Sequence, residues 1–125
     1  MQDTDTRVLV IEDDPEVASV IREILECEGY AVHTHSHGDC LDVVREFEPH
    51  VIVCDYMLPL RNGQAIVSQL RAEGVFVPFI MVSAARQASS DWRHWGVDAF
   101  LSKPFDIDHL ITSVNRLASR YEDAS

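Results

Sequence analysis

Residues 7–29 read RVLVIEDDPEVASVIREILECEG, and this stretch decides the fold. Arg7–Ile11 is a short run of aliphatic, mostly β-branched residues, the composition of a buried strand. Asp14 is then an N-cap residue, and Pro15 takes the first helical position, where a missing N–H costs nothing. Val17, Val20, Ile21, Ile24 and Leu25 recur at helical spacing, and Gly29 ends the helix. One strand therefore feeds one helix. The strand is continuously apolar rather than alternating, which predicts a parallel sheet covered on both faces.

The same unit recurs along the chain. Ala31–Thr34 reads as a second, weaker strand, and Gly38–Phe47 as a helix with Leu41, Val44 and Phe47 on one side. Pro49 breaks the chain ahead of Val51–Cys54, the third strand. Asn62-Gly63 is a turn signal, and Ile66, Val67 and Leu70 mark a helix that ends near Gly74. Pro78 precedes Phe79–Val82, the fourth strand. A short, poorly patterned helix reaches Trp95 and stops at Gly96, and Ala99–Leu101 is a brief fifth strand. Asp106 caps the last helix, with the stripe Ile107, Leu110, Ile111, Val114 and Leu117. Met1–Thr6 and Tyr121–Ser125 read as loose ends, leaving one domain over 1–125 with a core of about 7–120. Five strand–helix repeats with right-handed crossovers give an open, doubly wound α/β domain. In such a sheet the functional site lies beyond the carboxyl ends of the strands, where strand order reverses.

Composition narrows the function classes. The chain has 125 residues, with 10 Lys+Arg against 21 Asp+Glu, a net charge of −11. A surface this acidic repels phosphate backbones, so direct nucleic-acid binding by this domain is not expected. No apolar run approaches the roughly 20 residues needed to span a bilayer. Met1 to Arg7 carries no signal-peptide core, so a cytoplasmic location is expected. Cys27, Cys40 and Cys54 match no zinc spacing and read as reduced structural thiols, with Cys54 a small buried hydrophobe.

The strand ends carry the chemistry. Glu12 and Asp13 follow the first strand, Asp55 the third, Ser83 the fourth, and Lys103, the chain's single lysine, the fifth. Taken alone, Glu12–Glu16 is an acid-rich helix start favoured by the helix dipole. If Glu12, Asp13 and Asp55 converge, however, each carboxylate pair at about 4 Å repels by roughly 4 kcal/mol at an effective dielectric near 20. A hard divalent cation relieves that repulsion, and Mg²⁺ suits one or two carboxylates plus exchangeable waters. Lys103 is a compact charge suited to a phosphoryl oxygen, and Ser83 could donate a hydrogen bond to the same group.

The segments VLVIEDDPEV, VIVCDYMLPLRNG, IMVSAAR and DAFLSKPF, in that order, resemble the receiver domain of two-component response regulators, the CheY-like superfamily. The resemblance covers essentially the whole chain. It implies a (βα)5 flavodoxin-like three-layer sandwich with a five-stranded parallel sheet of order 2-1-3-4-5. It implies that Asp55, with Pro59 and Gly63 downstream, is the phosphoacceptor. Glu12, Asp13, Asp55 and the backbone carbonyl of Met57 become the Mg²⁺ ligands, with Mn²⁺ as a substitute. Ser83 becomes the switch hydroxyl, Phe100 the switch aromatic, and Lys103 the contact to the phosphoryl group. The implied partners are a histidine kinase or histidine phosphotransfer protein and a downstream target or effector domain. The implied assembly is a monomer or a phosphorylation-dependent dimer, with output through the fourth helix, fifth strand and fifth helix. Such a domain is a signalling switch that assists its own phosphorylation and dephosphorylation rather than an enzyme.

Some features depart from the family pattern. Ser83 to Lys103 is about two residues shorter, in the fourth-helix region. That region carries Trp92 and Trp95 on one helical face, either packed in the core or presented as an aromatic docking patch. Phe100 lacks a tyrosine hydroxyl, so switching there is steric. His33, His35 and His37 alternate and read as a solvated strand end in preference to a metal site. His50, His94 and His109 are isolated, and none sits in a phosphotransfer helix. An aspartyl phosphatase would want a second acid where Met57 stands, and a flavin domain a Gly/Ser/Thr-rich loop where EDDPE stands. The remaining alternatives are a receiver module of a hybrid histidine kinase or DNA-binding regulator, and a degenerate receiver that acts only as an interaction module.

Overall fold

The structure, a computed structural model, describes residues 6–84, 90–104 and 106–124, with the side chains of 90, 91 and 120–124 left aside. Strand and helix alternate as β1 (Arg7–Ile11), α1 (Pro15–Cys27), β2 (Ala31–His35), α2 (Leu41–Phe47), β3 (Val51–Asp55), α3 (Gly63–Ala72), β4 (Phe79–Ala84), a 3-10 segment (Ser90–Trp95), β5 (Ala99–Lys103) and α4 (Ile107–Ala124). The strands form one parallel sheet in the order β2-β1-β3-β4-β5.

Alternation along each strand builds two cores. Val8 and Val10 join Val51, Val53, Ile80 and Val82 beneath α1 and α4. Leu9 and Ile11 join Ile52, Cys54, Phe79 and Met81 beneath α2 and α3. Both faces being covered is why the strands read as unbroken apolar runs.

The helix ends follow their sequence signals. The Asp14 carboxylate accepts from the Glu16 N–H at 2.9 Å, with Pro15 opening α1. The Leu110 N–H donates to the Asp106 carbonyl at 3.1 Å, closing the first turn of α4. The Asn62-Gly63 turn signal falls at the end of the loop after β3, which closes with an antiparallel bridge between Met57 and Asn62; the Asn62 side chain then caps α3 by accepting from the Ala65 N–H at 2.9 Å, and Gly63 is its first residue. Gly63 is required for space, because a Cβ there would lie 2.4 Å from the Met81 sulfur and 3.1 Å from the Tyr56 Cα. We expect Gly63→Ala to cost about 1–3 kcal/mol through overpacking. A denaturant midpoint within experimental error of wild type would contradict this packing role.

Several boundaries move. α2 begins at Leu41 rather than Gly38, because Cys40 is its N-cap and the buried Gly38 packs against Ile66 and Arg61 in the preceding loop. The expected fourth helix is a six-residue 3-10 segment, consistent with its weak apolar pattern. Residues 85–89, which precede it, lie outside the described residues, as do Met1–Asp5. α4 continues through Ala124 instead of fraying at Tyr121. Finally, β3, β4 and β5 run on to Asp55, Ala84 and Lys103, so Asp55 and Lys103 are the last residues of their strands and Ser83 is the last but one.

Candidate phosphoacceptor site

The order β2-β1-β3 places the switch point between β1 and β3, and the acidic residues meet there. Glu12 and Asp13 leave the end of β1, and Asp55 ends β3. One carboxylate oxygen from each lies within 4.8 Å of those of the other two. Asp13 is exposed, whereas Glu12 and Asp55 are only 5% and 8% exposed. Lys103, at the end of β5, reaches across β4. Its Nζ lies 3.3 Å from Asp55 Oδ1 and 3.8 Å from Glu12 Oε1. One cation thus faces three carboxylates.

The protonation states record that imbalance. Burial pushes Glu12 up to about 7, helped by the Asp55 charge and a hydrogen bond with Asp13 and opposed by the Asp14 backbone N–H and Lys103. The Asp14 N–H donates to Glu12 Oε2 at 3.1 Å. Burial also raises Asp55, with Asp13 adding to the effect. Lys103 and the Met57 backbone N–H oppose it. The Met57 group visible in the site is therefore its N–H, donating to the Asp55 carboxylate.

This gives a pH dependence with a definite sign. Glu12 has a folded value of about 7 against an ordinary 4.5. The folded chain retains a proton that the unfolded chain has released. That stabilisation is complete below about pH 4.5 and is lost as pH rises through about 7, by on the order of 2 kcal/mol. Glu12→Gln should flatten the slope, and Mg²⁺ should restore stability at the alkaline end. Urea midpoints across this range, with and without Mg²⁺, provide the check; a flat metal-free profile would refute it.

Ser83 is 1% exposed and stands one residue beyond Val82, the register partner of Asp55. Phe100 is half-buried beside Met81 on the sheet, with its ring centroid 5.9 Å from that of Trp92. Trp95 stacks on Tyr56, the residue after Asp55, at 5.8 Å. Both tryptophans pack against the core beneath α2 and α3, as the core reading expects, but are only half-buried. The 3-10 segment is anchored at its end by Arg71, whose guanidinium donates to the Gly96 carbonyl at 2.7 Å and to Asp98 at 3.3 Å.

Sequence reading missed the Tyr56–Trp95 stack and the Arg71 tether, since no local pattern links residues so far apart. It also missed that His35 shares a cleft of about 390 Å³ with Glu12, Asp13, Ser19 and Arg22. Leu60, in the loop after Asp55, is fully exposed with φ of 72°, a left-handed conformation that is costly for a branched residue. Cys40 and Cys54 are buried and Cys27 is exposed, all as free thiols.

A doubly wound parallel domain with an acidic, cation-seeking pocket at its switch point is the class of molecule these features define. The chain belongs to the response regulator receiver domain family, whose pattern matches residues 8–115. Response regulator MprA of Mycobacterium bovis and of Mycobacterium tuberculosis is 35% identical over 126 residues, covering 95% of this chain and 54% of its own length. This chain therefore spans about half the length of those relatives. Among solved structures, the Francisella response regulator 1452 receiver domain is 32% identical with a TM-score of 0.86, covering 93% of this chain and 98% of that one. TrrA of Thermotoga maritima, solved in complex with Mg(2+)-BeF, is 25% identical with a TM-score of 0.77, covering 90% and 98%. Among the described residues, no helix is long and apolar enough to cross a membrane.

Proposed function

We propose that Asp55 accepts a phosphoryl group from the phosphohistidine of a histidine kinase or phosphotransfer protein, and that the domain works as a cytoplasmic two-component switch. The observation that carries this reading is Lys103 Nζ at 3.3 Å from Asp55 Oδ1 inside a pocket of three carboxylates. An Asp55 oxygen attacks phosphorus in line as the phosphorus–nitrogen bond of the donor breaks, yielding an acyl phosphate and a free imidazole. Lys103 sits where it neutralises charge on the transferred oxygens.

The donor set is all oxygen and carries surplus negative charge, which fits a hard divalent cation. Glu12, Asp13, Asp55 and the Met57 carbonyl would hold Mg²⁺, or Mn²⁺ in its place, supplying charge neutralisation at the phosphoryl oxygens. Ser83 would hydrogen-bond the phosphoryl group, and Phe100 would turn inward, leaving its contact with Trp92. That links Asp55 to the face formed by the 3-10 segment, β5 and α4. Attack of water on the acyl phosphate resets the switch, so the domain assists both its phosphorylation and its dephosphorylation.

The coverage of the relatives, at 54% of their length, favours a second layer to this reading. The domain would act as the receiver module of a longer regulator, whose effector supplies the output.

The test is incubation with acetyl phosphate or a loaded kinase, with and without Mg²⁺, followed by intact mass. A single phosphoryl adduct that requires Mg²⁺ is expected. No adduct from either donor would overturn the reading.

A further inference from the structure

We propose that His35 and His37 form a second cation site, next to the all-oxygen pocket but distinct from it in ligand chemistry, for a borderline divalent transition metal such as Ni²⁺ or Zn²⁺. β2 is an edge strand, so its outer border faces no other strand. His35 ends it and His37 follows in the bend beyond. The bend brings the two imidazoles together, with ring centroids 4.4 Å apart and planes inclined by 54°. His33 lies on the same strand face as His35, but its ring packs on Phe47 at 5.4 Å. The pair is therefore His35 and His37, not the alternating triplet.

A second contact fixes the His35 ring. His35 Nε2 lies 2.9 Å from the Asp39 carbonyl oxygen. A carbonyl oxygen can only accept, so Nε2 carries the proton and a neutral His35 keeps its lone pair on Nδ1. Metal-binding imidazoles are held in this way, with the outer N–H donated to a backbone carbonyl. His37 is exposed and can supply either nitrogen.

The surroundings favour a cation. His35 shares its cleft with Glu12 and Asp13, Asp39 is exposed nearby, and the chain carries a net charge of −11. Imidazole nitrogens select Zn²⁺, Ni²⁺ or Cu²⁺ over Mg²⁺, which prefers oxygen, so the two sites differ by ligand chemistry. Water completes the coordination shell around two imidazoles.

The test is calorimetric titration of the full chain with Ni²⁺ in excess Mg²⁺. Wild type, His35→Gln, His37→Gln, Asp13→Asn and Cys27→Ser are compared. The last two variants report on the acidic pocket and on the exposed thiol. One Ni²⁺ per chain is expected in wild type, Asp13→Asn and Cys27→Ser. Each histidine variant should bind at least about ten-fold more weakly. Affinity within two-fold of wild type in His37→Gln overturns the proposal. So does affinity lost in Asp13→Asn or Cys27→Ser but kept in the histidine variants. His37 is exposed, so that variant keeps the test valid if His35→Gln fails to fold. Phosphoryl loading of Asp55 should be unchanged in His37→Gln, so failure of the metal site and failure of the phosphoacceptor reading remain distinguishable.

Discussion

Asp55→Asn is expected to lose the Mg²⁺-dependent phosphoryl adduct completely, leaving the intact mass unchanged after exposure to phosphodonor. The amide keeps the shape of the side chain but removes the anionic nucleophile. It also removes one of three carboxylate groups crowded within 4.8 Å. Each such pair repels by between about 1 kcal/mol in water and roughly 4 kcal/mol at an effective dielectric near 20. The metal-free variant should therefore be more stable than wild type at neutral pH, and its stability should respond less to Mg²⁺. Lys103 retains Glu12 at 3.8 Å, so it is not left without a counter-charge. The two readouts move in opposite directions, activity down and stability up, which general unfolding cannot mimic. An undiminished adduct in this variant would remove Asp55 from its assigned role.

Lys103→Ala is expected to have the second largest effect. The side chain is the single lysine of the chain and contacts both Asp55 and Glu12. Losing one preorganised charge-stabilising group commonly costs about 10²–10³-fold in rate, and we expect a loss of that order in phosphoryl loading. Without Lys103, Glu12 and Asp55 lose the cation that opposes their raised pKa values, so both should move further upward. The stability change should be smaller, because the lysine side chain is about one-third exposed at 35% and solvent screens it. The time course of the mass shift provides the measurement. A loading rate within two-fold of wild type would show that Lys103 does not serve transfer.

These two residues show how far the sequence reached. Asp55 and Lys103 were legible because each ends a strand run and the doubly wound pattern brings strand ends together. The strand order followed from the family resemblance and holds in the structure, whereas the switch point as the place to look followed from the doubly wound pattern. Strand ends were read one or two residues short, because the apolar signal stops at Cys54, Val82 and Leu101. The backbone ladder continues past it. A ladder needs N–H and C=O groups, which polar residues also supply. At Gly63 the sequence offers a turn signal, and the structure adds the Met81 sulfur packed where a Cβ would go.

By itself, the sequence determined the alternation of five strands with helical segments, most of the apolar core positions, though Val20 and Ile107 of the expected helix stripes are exposed, and the identities of the four charged groups at the strand ends. Those follow from periodicity and residue chemistry, which are local. Only the tertiary structure decided that Lys103 faces Asp55 and Glu12 together, and that Glu12 titrates near neutrality. The same holds for the contacts of the Trp92 and Trp95 rings with Phe100 and Tyr56, and for the pairing of His35 and His37 apart from His33. The physical reason is common to all of these. Distance and desolvation set their energies, and both depend on which strands become neighbours and how each loop bends.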